Sequence, residues 1–174
     1  MANRCCFSGH SKIYNNNLID TIKLQAELLI ANGITEFWVS NYGDFDKLSA
    51  IAIKQLKNIY PYVKLLLVIP YVTKEIDLFK NEYYKTYDEI LIAEIPYNTP
   101  YKCKIIKSNQ FMVDNCDFMI CYIKNHFGGA YQTYNYALKH HKIIKNLYKK
   151  DEWFFNHSSF LINLQIHIRH GIFP

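Results

Sequence analysis

Apolar runs of strand length alternate along this chain with segments whose apolar residues recur at helical spacing. The strand-like runs cover residues 4–7, 36–40, 63–69, 88–93, 117–123 and 142–147. Between them the spacing predicts one helix with Ile19, Ile22, Ala26, Leu29 and Ile30 on its apolar face. A second carries Phe45, Leu48, Ala52, Leu56 and Ile59, and a third is marked by Ile76, Phe79 and Tyr83. Residues 101–115 are helical by Ile105, Asn109, Met112 and Val113, and a last helix from Gly129 buries Ala130, Tyr134, Ala137, Leu138 and His141. Connections of this length are too long for hairpins, so the strands run parallel with helices on both faces of the sheet. The run VKLLLVI at 63–69 is nearly all apolar, as a strand covered on both faces requires.

The punctuation agrees. Asn15, Asn16 and Asn17 offer caps for the first helix, Gly33 stands where its C-terminus falls, and Pro61 stops the second. Trp38 reads as core. The segment after Tyr148 breaks the rhythm, leaving three options: a docking helix, an extra edge strand or a poorly ordered tail. The expected division is therefore a domain over residues 1–148 and an extension of uncertain structure over 149–174.

In an open parallel sheet, ligands bind outside the carboxyl ends of the strands where strand order reverses. Three loops at such ends carry small or polar residues. They are Ser8-Gly9-His10, the stretch from Asn41 through Gly43 to Asp46, and Phe127-Gly128-Gly129-Ala130 with Thr133. A glycine pair opening a helix leaves unpaired backbone N–H groups at the positive end of the helix dipole, which suits a phosphate. Ser8, Asn41 and Thr133 add hydrogen-bonding groups, and Asn109 joins them as a candidate ligand contact. Each has a plainer alternative: Gly9 and Gly43 as bare turns, His10 as a solvated or capping residue, and Asp46 as a first-turn acid complementing the dipole.

Half of the 174 residues are hydrophobic and 20% are charged, which is globular rather than disordered composition. The net charge of +5 is modest and has no polarised tail. One acid-free cluster, Lys139, His140, His141, Lys142, Lys145, Lys149 and Lys150, reads as a solvated helix end or as a seat for a phosphate-rich partner. The five cysteines include no C-x-x-C pair, so they read as buried hydrophobes in a reducing cytoplasm, and no metal site is expected. The N-terminus lacks the apolar stretch of a signal peptide and no apolar run reaches membrane-spanning length, so no membrane partner is expected.

Four segments together resemble the YpsA-like branch of the SLOG superfamily, named for the SMF/DprA and Lonely-Guy proteins. They are Cys5-Cys6-Phe7-Ser8-Gly9-His10, Gly43-Asp44-Phe45-Asp46, Met112-Val113-Asp114-Asn115-Cys116-Asp117, and Gly128-Gly129-Ala130-Tyr131-Gln132-Thr133 with Tyr136-Ala137. The resemblance runs from about Arg4 to Leu147. It implies a Rossmann-like three-layer α/β sandwich with a mainly parallel sheet of about six strands. It also implies binding of a nucleotide or nucleotide-derived small molecule, with the Gly-Gly turn on phosphate, and pairing into a homodimer as an option.

An enzyme does not follow. The Lonely-Guy pattern supplies an arginine and a glutamate near the sugar, because cleavage through an oxocarbenium-like state needs a carboxylate. The arginine position falls here on Ser108, and no acid follows Gly129 until Asp151. No residue is assigned to catalysis and no cofactor is expected. The first expectation is a sensor-like binding domain. The alternatives are a nucleoside-phosphate N-glycosidase with Asp46 as its carboxylate, and single-stranded DNA binding through the basic cluster, against which the modest charge argues.

Overall fold

The strand-like runs fold into parallel strands of one sheet. They are β1 (Arg4–Gly9), β2 (Glu36–Val39), β3 (Lys64–Ile69), β4 (Glu89–Ile92), β5 (Phe118–Tyr122) and β6 (Ile143–Asn146). A computed structural model describes residues 3–13, 17–148 and 153–154. Among these the sheet order is β4-β3-β2-β1-β5-β6, followed by a two-residue strand β7 (Trp153–Phe154) antiparallel to β6. The fold is thus α/β, Rossmann-like and mainly parallel. The 149–174 extension contributes β7 to the edge, and its other residues lie outside the described ones.

Strands β1, β2, β3, β5 and β6 are buried, whereas the edge strand β4 is only partly covered. Cys5, Phe7, Phe37, Val39, Leu65, Leu67, Phe118 and Ile120 face one core; Cys6, Trp38, Leu66, Val68, Met119, Cys121 and Ile144 face the other. The alternation within near-continuous apolar runs is what two covering layers demand. Helices α1 (Leu18–Ala31) and α2 (Asp44–Lys57) cover the first face, while α5 (Lys104–Asn115) and α6 (Gly128–Lys139) cover the second. Trp38 is core, and its indole nitrogen donates to the Glu36 carboxylate, which also accepts from the Arg4 guanidinium at 2.8 Å.

Three helix expectations need correction, one of them at the last helix, which ends at Lys139 and leaves His141 exposed beyond it with φ 54° instead of buried on its face. The segment with Ile76, Phe79 and Tyr83 is not one helix but two short ones, α3 (Lys74–Leu78) and α4 (Lys80–Tyr84), broken at Phe79, whose ψ of 25° leaves the helical range. Of the three residues only Ile76 is fully buried, and Phe79 is exposed, so the apparent stripe never faces the core as a unit. The second helix ends at Lys57, ahead of Pro61. Ile59 lies in the following turn, two residues ahead of the proline, and is exposed. At the first helix, Asn17 occupies the cap position without a side-chain cap bond, while Asn15 and Asn16 lie outside the described residues. Gly33 follows its end with φ 87° and donates to the Ile30 carbonyl at 2.9 Å.

Lys139, His140 and His141 of the basic cluster are exposed at the end of α6. Lys142 Nζ reaches the Asp114 carbonyl, His140 stacks on Tyr136 and lies 3.6 Å from the Asp114 carboxylate, and Lys145 is buried within β6. Lys149 and Lys150 lie outside the described residues. Among the described residues no helix is long and apolar enough to cross a membrane. Cys5, Cys6, Cys116 and Cys121 are buried free thiols, and burial raises Cys5, Cys116 and Cys121 well above the ordinary thiol range.

Candidate functional site

Strand order reverses between β1 and β5, the two strands from which the chain leaves in opposite directions across the sheet. At their carboxyl ends, joined by that of β2, lies a crevice of about 410 Å³, within the range of small-molecule sites. Its walls bring together Ser8, Gly9, His10, Gly43, Asp46, Asn109, Gly128, Gly129 and Ala130 from the candidate set. Asn41 and Thr133 are not among the lining residues.

On the β5 side the wall is the start of α6. Gly128 has φ 87°, a conformation that L side chains rarely adopt, and this lets the chain turn from the loop into the helix. Phe127 stands at the cap position and no side chain caps the helix. The first N–H groups of a helix have no partner within it. A methyl group built on Gly128 or Gly129 would meet nothing within 4 Å. The chain here is bare backbone beside open space.

Thr133 has another task. Its hydroxyl donates to the Gly129 carbonyl at 3.0 Å and accepts from Asn109 Nδ2 at 3.4 Å, and the residue is buried. It therefore ties α6 to α5 behind the wall. Asn41 is turned inward, with its Oδ1 buried and lacking a partner among the described residues.

On the β1 and β2 side the wall is closed by its own bonds. A side chain on Gly9 would come within 2.4 Å of the Phe45 ring, and one on Gly43 within 2.7 Å of the Ser11 backbone. These glycines serve close packing between two loops, which Asp44 secures by donating its N–H to the Ser11 carbonyl and accepting from Ile13 N–H at its carboxylate. Asp46, at the third position of α2, accepts at Oδ2 from the Ser40 hydroxyl and from Tyr42 N–H at 3.0 Å. With Gly43 N–H also bonded to it, the carboxylate caps α2 in the manner of a capping box. Burial pushes its pKa up to about 6, against the lowering effect of those three donors.

His10 joins the two sides. Its Nε2 accepts from the N–H groups of Lys124, at 2.9 Å, and Asn125, at 3.0 Å. An acceptor at Nε2 requires the neutral ring with the proton on Nδ1. Burial holds the pKa below its usual value, in keeping with that role. His10 is the capping histidine of the two readings, and what it caps is the loop leading to α6.

Sequence reasoning missed Asn146. Buried at the end of β6, its Oδ1 accepts from Ile123 N–H at 3.0 Å and its Nδ2 donates to the Ile123 carbonyl at 3.0 Å. The amide imitates one more residue of a strand and fixes the point where the loop begins. The available signal was an asparagine ending a strand, directly after Lys145. Lys12, Ser40, Tyr42, Ile105 and Asn125 also line the crevice without having been singled out.

The chain matches no protein-family model and no curated protein. What the site can do is therefore read from its geometry. It offers an uncapped helix start and one lysine, Lys12, to an anion, and polar groups of Ser8 and Asn109 to a neutral part of a ligand.

Proposed function

We propose that this chain is a sensor-like domain that binds a nucleotide or nucleotide-derived small molecule in the crevice, as its resemblance to the YpsA-like SLOG proteins implies. The carrying observation is the uncapped start of α6, with open space beside Gly129, facing a crevice at the point where strand order reverses. A phosphate sits there on the N–H groups of Gly129 and Ala130, with Lys12 nearby. Titration calorimetry with a panel of nucleotides tests this in the wild type and in Gly129→Asp. The variant places bulk and negative charge at the anion seat and abolishes binding. It leaves the fold intact, because an acid is favourable at a helix start. Unchanged affinity in Gly129→Asp removes the phosphate role.

One observation favours a second reading, hydrolysis of the N-glycosidic bond of a nucleoside monophosphate. Asp46 lines the crevice and its carboxyl titrates near neutrality, at about 6. Against this, the same carboxylate is held by Ser40, Tyr42 and Gly43, and Ser108, at the position of the arginine in the Lonely-Guy pattern, is buried away from solvent. Incubation of purified protein with nucleoside monophosphates separates the two: release of free base above the buffer rate establishes hydrolysis, and binding without release supports the sensor.

A further inference from the structure

Tyrosines from three separate segments stand at the carboxyl edge of the sheet, where one of them lines the crevice and the other two touch each other. Tyr42 lies in the loop after β2 and lines the crevice itself. Tyr71 follows β3, and Tyr101 opens a single 3-10 turn, Tyr101–Cys103, that runs into α5. The Tyr71 and Tyr101 hydroxyls are 2.6 Å apart, with ring centroids separated by 5.3 Å. Tyr42 is close enough to both that their charges add to burial in raising its pKa to about 12. Lys104 sets its ammonium 5.5 Å from the Tyr71 ring. Tyr101 remains 71% exposed, so its outer surface is uncovered by anything that the core requires.

The position of this cluster relative to the α6 start is set by one stretch of chain. Ile105 and Asn109 stand one turn apart on α5, and Tyr101 opens the 3-10 turn directly before that helix, so the three follow in order along one segment. Ile105 and Asn109 both line the crevice, and Asn109 reaches Thr133 behind the glycine pair. From Tyr101 to Asn109 the segment spans about 13 Å at the rises of a 3-10 turn and an α-helix. One end is polar and adjoins the bare backbone of α6; the other is aromatic and open to solvent.

We propose that the tyrosine rim of Tyr42, Tyr71 and Tyr101 is a seat for a flat aromatic ring, the base of a nucleotide whose phosphate lies at the start of α6. This rests on the ligand class proposed above and adds which end of the ligand each end of the crevice takes. Tyrosine faces stack on any base because every base presents a π surface, and they do so with little loss of side-chain freedom. A second role for the rim, simply tying the turn before α5 to the loop after β3, needs the hydroxyl contact between Tyr71 and Tyr101 but no ligand.

The test compares ribose 5-phosphate with the four common nucleoside monophosphates by titration calorimetry on the full chain. The wild type binds at least one nucleotide about tenfold more tightly than ribose 5-phosphate, the size expected of one stacked base. Tyr101→Ala brings that nucleotide down to the level of ribose 5-phosphate and leaves ribose 5-phosphate unchanged. Tyr101→Phe keeps the ring, loses the hydroxyl contact and retains the preference. Equal affinity for ribose 5-phosphate and all four nucleotides in the wild type overturns the base seat while leaving the phosphate site standing. So does a preference that survives in Tyr101→Ala. Binding of none of the five compounds overturns the seat and the proposed function together.

Discussion

The two walls of the crevice use the same residue, glycine, for opposite ends. On the β1 and β2 side Gly9 and Gly43 are pressed against Phe45 and Ser11, and a side chain on either would collide. On the α6 side Gly128 and Gly129 face open space, and only the backbone angle of Gly128 restricts what could replace it. Polar groups divide the same way. Asp46 spends its carboxylate on Ser40 and on backbone N–H groups, whereas the start of α6 has no side-chain cap at all. A wall that satisfies itself sets shape; a wall left unsatisfied is where a guest gains most. On the function proposed above, the first wall is scaffold and the second the recognising surface.

Substitutions can break that contrast, the most damaging first. Gly9→Val forces a branched side chain into the Phe45 ring and is expected to cost about 3 kcal/mol or more of stability, measured by urea unfolding. A stable Gly9→Val protein with altered ligand affinity instead would show that Gly9 belongs to the recognising surface.

Asp46 gives a pH-dependent effect of similar size. Its folded pKa of about 6 lies above the ordinary value of 3.8, so its contribution is fully present below pH 3.8 and fades as pH rises through 6. A difference of this size corresponds to about 3 kcal/mol. The stability of Asp46→Asn relative to wild type should therefore improve by about that amount between pH 4 and 7 in paired denaturant titrations. A pH-independent difference between the two proteins would show that the carboxylate is not held in the buried state described.

Asn146→Ala leaves both backbone groups of Ile123 without their side-chain partner, at an expected cost of about 2 kcal/mol. Faster amide exchange at Lys124 and Asn125 should accompany it, and exchange unchanged there would deny Asn146 a part in holding the loop.

His10→Ala costs about 1 kcal/mol by removing the shared acceptor of Lys124 and Asn125. In the wild type the His10 pKa is depressed, so its contribution stands above pH 6.5 and is lost as pH falls through the folded value. Imidazole shifts followed by NMR should show a midpoint below 6.5 with the Nδ1-protonated tautomer above it. The smallest effect belongs to Gly129→Ala, within about 0.5 kcal/mol of wild type, because the added methyl meets nothing.

The sheet was legible in the sequence because burial on both faces writes long apolar runs, as at Leu65, Leu66, Leu67, Val68 and Ile69. The α3–α4 segment was misread because Ile76, Phe79 and Tyr83 carry helical spacing over a stretch too short to need one continuous helix. Most of the crevice residues could be named because strand ends and small residues mark loops. What each does there could not, since a glycine whose added side chain would strike a neighbouring ring and one facing empty space are the same letter. Asn41 and Thr133 were chosen for their hydrogen-bonding groups, and direction decided otherwise. Thr133 turns back onto its own helix, as a hydroxyl there readily does, and Asn41 turns inward. Tyr101 was legible only as one of 15 tyrosines, because its meeting with Tyr71 joins residues 30 apart.

The amide of Asn146 has a consequence for the order of events during synthesis. All three crevice turns, at residues 8–12, 40–43 and 124–130, precede it in the chain, yet the hinge of the last of them is clasped by a residue that leaves the ribosome after them. A nascent chain that has already exposed all three turns therefore still lacks the clasp. The crevice takes its final form only once the edge of the sheet beyond β5 has been laid down.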